Sequence, residues 1–244
     1  MRADTVVWIS GASAGIGRAL VEAVPWEGVR IIGISRRPPP AGVEHLALDL
    51  ADPSTWPALG KSFSQELEGF AGDRVVFVHA AGVLAPMGHA GEVDTAGYIA
   101  NVVLNSASPQ VLGHLFLAAV REVVARRQLV FLTSGAARSV YPGWSSYGAA
   151  KAATDQWVRN VGAEQSRRGG VEVVAIGPGT VDTNMQAQLR ATTEDDFPQR
   201  QKFLDLHREG RLTDPDDVAR GIWRLLDQGL ENGAVVDLRQ LAGG

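Results

Sequence analysis

The chain contains no cysteine, so neither a disulfide framework nor thiolate chemistry is open to it. Its five histidines show no metal-ligand spacing such as HxxxH, and no metal site is expected. Runs of lysine or arginine are missing and the formal net charge is −4, which removes the electrostatic footprint of a nucleic-acid binder. The N-terminal segment meets a glycine turn too early for a signal peptide, and no apolar run reads as a membrane span. A soluble, cytoplasmic chain that avoids nucleic acid and membrane is the expectation.

What is present is a repeating α/β pattern. With 244 residues, 45% of them hydrophobic, the chain can bury one substantial core, which predicts a single domain over 1–244. Short runs rich in β-branched residues lie at 5–10, 29–35, 75–82, 128–134, 171–179 and 233–238, separated by longer helical stretches. Strands apolar on both faces belong in a parallel sheet covered on both sides, so the predicted fold is a doubly wound, three-layer α/β/α Rossmann fold. Helix starts are signalled at 51–59, with proline in the opening turn, and at 213–226, with acidic residues at the N-terminus. The irregular stretch 182–212 is long for a connection and predicts a lid over a site.

"VVWISGASAGIGRAL" (6–20) carries the first chemical signal. A strand that ends in glycines spaced Gly11-x-x-x-Gly15-x-Gly17 and feeds a helix offers bare backbone N–H groups and a positive helix end to a pyrophosphate. About twenty residues on, where a dinucleotide's adenosine ribose is read, stand Ser35, Arg36 and Arg37 instead of an acidic residue. Arginine there suits a 2′-phosphate, so the expected cofactor is NADPH/NADP, with Arg36 the better placed of the pair.

"TSGAARSVYPGWSSYGAAKAATDQW" (133–157) carries the second. Tyr147 and Lys151 are four apart at a helix start and share one face. A chain with three tyrosines would place such a pair by chance only roughly one time in twenty-five. A nearby ammonium and a positively charged oxidised nicotinamide favour phenolate, so together they are expected to lower the Tyr147 pKa, fitting the phenol to protonate a carbonyl oxygen as hydride arrives at its carbon. Ser134, at the end of the preceding strand, can hold the same oxygen.

Taken together, these motifs resemble those of the short-chain dehydrogenases/reductases, over essentially the whole chain: the GxxxGxG turn, Asp49-Leu50, "HAAG" at 79–82, Ser134 thirteen residues before Tyr147, Lys151, and "PGTVDT" at 178–183. The resemblance implies that Gly11, Ser13, Gly15, Ile16 and Gly17 hold the cofactor's phosphates. Asp49 and Leu50 flank its adenine, and Ala81 and Gly82 its adenosine ribose. Beside Tyr147, Lys151 binds the nicotinamide ribose, while Pro178, Gly179, Val181 and Thr183 contact the nicotinamide and phosphate side. The family's helix asparagine, which holds a relay water, is matched by Asn105, since Ser108-Pro109 follows it as the pattern requires; Asn101 is the fallback, otherwise a solvent-facing or interface residue. Ser10 replaces the usual threonine, and His79-Ala80 stand where paired asparagines are usual.

"GWSSYGAAKAATD", "PGTVDTNMQAQLR" and "NGAVVDL" are similar, within that family, to the sepiapterin reductase branch that includes bacterial benzil reductases. That likeness implies a small carbonyl substrate such as a 1,2-dicarbonyl, with Trp144, Tyr141 and Met185 as pocket walls beside Ser134 and Tyr147. Asp237 matches the branch's ring-anchoring aspartate or else is a strand-end turn residue. Assembly as a homodimer or homotetramer, through helices spanning about 95–126 and 146–168, is implied as well. The competing expectations are another substrate class on the same machinery (3-oxoacyl thioesters, steroids or sugars) and a non-catalytic dinucleotide sensor.

Overall fold

The first strand, β1 (Thr5–Ser10), is buried along its whole length. Its side chains alternate between the two faces of a sheet: Val6 and Trp8 enter one apolar cluster, Val7 and Ile9 another. The same division recurs in the sixth strand, where Val173 and Ala175 face one cluster and Val174 and Ile176 the other. A two-sided core of this kind requires helices on both faces. The computed structural model describes residues 4–241 and has that arrangement.

In chain order the elements are β1, α1 (Gly15–Glu22), β2 (Val29–Ser35), β3 (Glu44–Ala47), α2 (Trp56–Leu67), β4 (Arg74–His79), α3 (Thr95–Val102), α4 (Ser108–Ala119), β5 (Arg126–Leu132), α5 (Ser145–Arg168), β6 (Glu172–Gly177), α6 (Asn184–Ala191), α7 (Arg200–Arg208), α8 (Pro215–Gln228), β7 (Val235–Asp237) and α9 (Leu238–Leu241). The seven strands pair in parallel in the order β3-β2-β1-β4-β5-β6-β7. One face is covered by α1 and α8, through Leu20, Ile222 and Trp223. The other is covered by α2, α4 and α5, through Phe63, Phe116 and Val158. Strand order reverses at β1, whose neighbours are β2 and β4, so a crevice opens at the carboxyl ends of these strands.

Four expectations are corrected. A seventh strand, β3, was not expected from the sequence: "EHLA" is short, lies at the sheet edge and has no fully buried residue, so it lacks the apolar run that marks the central strands. The stretch 182–212 is not irregular, since α6 and α7 occupy most of it. The long helix expected over 95–126 stops at Ala119 and is interrupted by a π-helical turn at Val103–Ala107. One stretch, Thr95–Ala119, does reach a length and mean hydropathy, 1.2, compatible with crossing a membrane. Here it packs Leu104, Leu112 and Phe116 into the core instead.

Candidate active site

The glycine turn occupies the crevice at the strand-order reversal. Gly11 has φ +71° and donates its N–H to the Ile34 carbonyl at 2.9 Å. A Cβ there would stand 3.1 Å from the backbone of Ala81, and one on Gly17 would fall 2.3 Å from the Gly11 carbonyl oxygen. Only glycine closes this junction between β1, α1 and the end of β4. The Ser10 hydroxyl accepts from the amides of Ala80 and Ala81, each at 3.0 Å, so serine does here what a threonine hydroxyl could do. Helix α1 begins at Gly15 with no side-chain cap on its first turn, leaving amides free for an anion.

A cleft of about 550 Å³ runs from this turn. Gly11, Ser13, Gly15, Ile16 and Gly17 form its floor, Asp49, Leu50, Ala81 and Gly82 its sides, and Arg36 and Arg37 its far end. Arg36 stands 3.8 Å from Asp49, an exposed pair worth little in itself. Thr183, Ile16 and Gly82 also line a second cavity of about 440 Å³, so the two are continuous. That second cavity holds Ser134, Tyr147, Lys151, Trp144, Tyr141, Met185, Pro178, Gly179 and Val181.

Helix α5 supplies Tyr147 and Lys151 one turn apart, as their spacing predicts. The Lys151 ammonium donates to the Leu132 carbonyl at 2.8 Å and lies 5.8 Å from the centre of the Tyr147 ring. Burial lowers its pKa from 10.5 to about 8, while the Asp155 carboxylate one turn further on pulls it upward. For Tyr147 the protein's own groups act against the expected fall. Burial raises the phenol above its ordinary value, and a hydrogen bond with Ser134 offsets part of the rise. Desolvation of the phenolate outweighs any help from the ammonium across the ring.

Asn105 sits behind the cavity wall, buried, within the π-helical turn. Pro109 has no N–H to offer the Asn105 carbonyl four residues earlier, and that carbonyl accepts the Thr154 hydroxyl at 3.3 Å. The Asn105 side chain is fixed by Val83, accepting its N–H at 3.1 Å and donating to its carbonyl at 2.8 Å. Gly82 separates it from the cavity: a Cβ there would stand 3.0 Å from Asn105 Oδ1 and 3.9 Å from Lys151 Nζ. Asn101 is not solvent-facing. It is buried, donates to the carbonyls of Val83, Leu84 and Ala85, and accepts from Asn105 at 3.0 Å.

Asp237 is not among the residues that line the cavity. Both of its oxygens are engaged by Arg239, at 2.9 and 2.6 Å, and this bidentate pairing holds its carboxyl below the usual range. It is Arg239 that reaches the cavity wall. His79, which replaces an asparagine of the family pattern, lies within 3.1 Å of the Ser108 hydroxyl. Burial, with the Lys151 charge added, lowers its pKa to about 3, so it is neutral at physiological pH. Sequence reasoning also missed Asp155, whose position four residues past Lys151 was a usable signal, and Lys202, which arrives from α7.

Comparison with known proteins agrees with this geometry. The short chain dehydrogenase family profile matches residues 5–194. A benzil reductase ((S)-benzoin forming) of Bacillus subtilis (strain 168) is 30% identical over 236 residues, covering 95% of this chain and 97% of that protein. A sepiapterin reductase of Bos taurus is 35% identical over 112 residues, 46% of this chain and 40% of the relative. The crystal structure of a short-chain dehydrogenase/reductase from Saccharomyces cerevisiae superimposes with a TM-score of 0.84 at 24% identity, over 98% of this chain and 97% of the other. The glycine turn, the serine-tyrosine-lysine set and the sheet that positions them thus have one common origin: the chain belongs to the short-chain dehydrogenase/reductase family, within its benzil and sepiapterin reductase-like branch.

Proposed function

We propose that the protein reduces a 1,2-dicarbonyl compound or a related ketone with NADPH, using Tyr147 as proton donor. The observation that carries this is the convergence of Ser134, Tyr147 and Lys151 on one cavity continuous with the glycine-turn cleft. That cleft suits a phosphorylated dinucleotide. The uncapped start of α1 and the Cβ-free contact of Gly11 with Ala81 accommodate a pyrophosphate, and Arg36 and Arg37 at the far end match a 2′-phosphate. Kinship with a benzil reductase supports the dicarbonyl class.

Bound in the cleft, the reduced nicotinamide supplies a hydride. The Ser134 hydroxyl orients the carbonyl oxygen by a hydrogen bond, and Tyr147 transfers its phenolic proton to that oxygen. A phenol held above its ordinary pKa by burial is fully protonated at neutral pH, so the acid is loaded before the alkoxide forms. The Lys151 ammonium binds the nicotinamide ribose and stabilises the phenolate left behind. With Asn105 it returns a proton to Tyr147 through water.

Initial-rate oxidation of NADPH with benzil, repeated with NADH and with Tyr147→Phe, tests the proposal. We expect turnover that favours NADPH and a loss of kcat of about 10²- to 10⁴-fold in the variant. An unchanged kcat in Tyr147→Phe would remove the phenol from the mechanism.

A further inference from the structure

The chain has only three lysines, at 61, 151 and 202, and two of them line the catalytic cavity. Lys151 belongs to the machinery already described. Lys202 comes from α7, in the segment that covers the cavity, and its surroundings are unusual for a surface cation. Its ammonium is within 3.1 Å of the Tyr141 hydroxyl and lies over the rings of Tyr141 and Phe203, 5.4 and 5.6 Å from their centres. It meets no carboxylate among the described residues. The other two cations of the rim are engaged, Arg239 with Asp237 and Arg211 with Glu209.

Neither aspartate nor glutamate appears in the cavity lining among the described residues, although acidic residues outnumber basic ones in the chain, 27 to 23. A concave site lined by one sign of charge concentrates ligands of the opposite sign. The donor geometry is specific as well. When the Tyr141 oxygen accepts from Lys202, its own proton stays free, so an ammonium and a phenolic O–H present two adjacent donors, a match for the two oxygens of a carboxylate. Between these donors and Tyr147 runs an aromatic wall. Trp144 lies 5.0 Å from the Tyr141 ring and 5.5 Å from the Tyr147 ring, centre to centre.

We infer that the substrate is an aryl ketone bearing a carboxylate at the end remote from the reacting carbonyl, held there by Lys202 and Tyr141; this rests on the ketone reduction proposed above. With Trp144 packed against both the Tyr141 and the Tyr147 rings, Lys202 contacts the substrate away from the reacting carbonyl, so its interaction is the same in ground and transition states and acts on KM.

The test uses two probes of nearly equal shape, benzil-4-carboxylate and benzil-4-carboxamide, with the wild type, Lys202→Gln and Lys202→Arg. The expected result is a wild-type preference for the carboxylate in kcat/KM that falls about tenfold in Lys202→Gln, through KM, as loss of a charge-assisted hydrogen bond at a partly exposed site implies. Arginine restores most of it, and added salt erodes it. An unchanged ratio overturns the inference, because loss of a mere tether between α7 and Tyr141 affects both probes alike. Calorimetric binding of 4-benzoylbenzoate to wild type and Lys202→Gln separates the two proposals. If neither benzil derivative turns over but this binding depends on Lys202, the anion site stands and the proposed reduction fails. If both turn over and neither ratio nor binding depends on Lys202, the anion site fails alone.

Discussion

The hydroxyl of Thr133 donates to the carboxylate of Asp155, tying the end of β5 to the middle of α5 across the active site. Ser134 follows Thr133 directly, and Tyr147 and Lys151 lie two turns and one turn before Asp155 on the same helix face. One buried bond therefore fixes the distance between the residue that orients the carbonyl and the residues that handle its proton. The positive charges of Arg159, Arg138 and Lys151 act on the carboxylate together with the Thr133 hydrogen bond. Burial nonetheless raises its pKa, so its charge is maintained at some cost to stability.

Replacing Asp155 with asparagine keeps an acceptor for Thr133 and removes the charge. The Asp155 carboxylate raises the Lys151 pKa, which burial has brought to about 8, so without it the ammonium loses its proton at lower pH. The alkaline limb of the kcat/KM profile should therefore move toward neutrality in Asp155→Asn. Melting temperature should stay level or rise, because a carboxylate whose folded pKa is raised contributes stability only at low pH and loses it as pH rises through that pKa. A pH–rate profile with parallel thermal melts checks both. A merely structural strut would lower the melting temperature and leave the limb in place.

Much of this site was legible because its chemistry lies on short, regular spacings. Gly11, Gly15 and Gly17 belong to one strand-to-helix junction, and Tyr147 and Lys151 to one helical turn, so local geometry alone brings each set together. Asn105 could be chosen over Asn101 because the family pattern places a proline-containing turn just after that asparagine, as Ser108-Pro109 stands here. What stayed hidden depends on distant packing. β3 forms only because β2 offers an edge to pair with. Lys202 reaches the cavity only because α7 folds back beside Tyr141. The Tyr147 shift turned on burial by Trp144 and its neighbours, which spacing does not reveal. Asp237 is a different case, since its partner Arg239 stands two residues away and the pairing could have been weighed from the sequence.

Cofactor choice should depend on the arginines at the end of β2. Ser35 donates to the Arg37 carbonyl at 2.6 Å, fixing the loop that carries both side chains to the cleft. Arg36 is largely exposed and only loosely paired with Asp49, so its removal should leave the fold intact. In Arg36→Ala/Arg37→Ala, KM for NADPH should rise about 10- to 100-fold, as the loss of charge-assisted phosphate contacts implies, while KM for NADH changes little. Steady-state kinetics with both cofactors decides this. Equal effects on the two would place the arginines elsewhere than at the 2′-phosphate.

Assembly with a second copy of the chain is the remaining proposal, and it has a physical handle on the α3–α4 helix. Ile99, Val102 and Val111 are exposed to 58%, 39% and 37%, apolar side chains on a helix whose other face is already packed in the core. Tyr98 and Ser145 lie 3.3 Å apart nearby, coupling the start of this helix to the start of α5. Apolar residues left on one stripe of a helix favour burial against a like surface. A protein that pairs through this stripe runs as a dimer or tetramer in light scattering coupled to gel filtration. Ile99→Glu/Val102→Glu should shift it to the monomer, because two buried carboxylates facing their symmetry mates cost more than the apolar contact contributes. Unchanged mass in the variant would place the contact on another face, and a monomeric wild type would remove the assembly altogether.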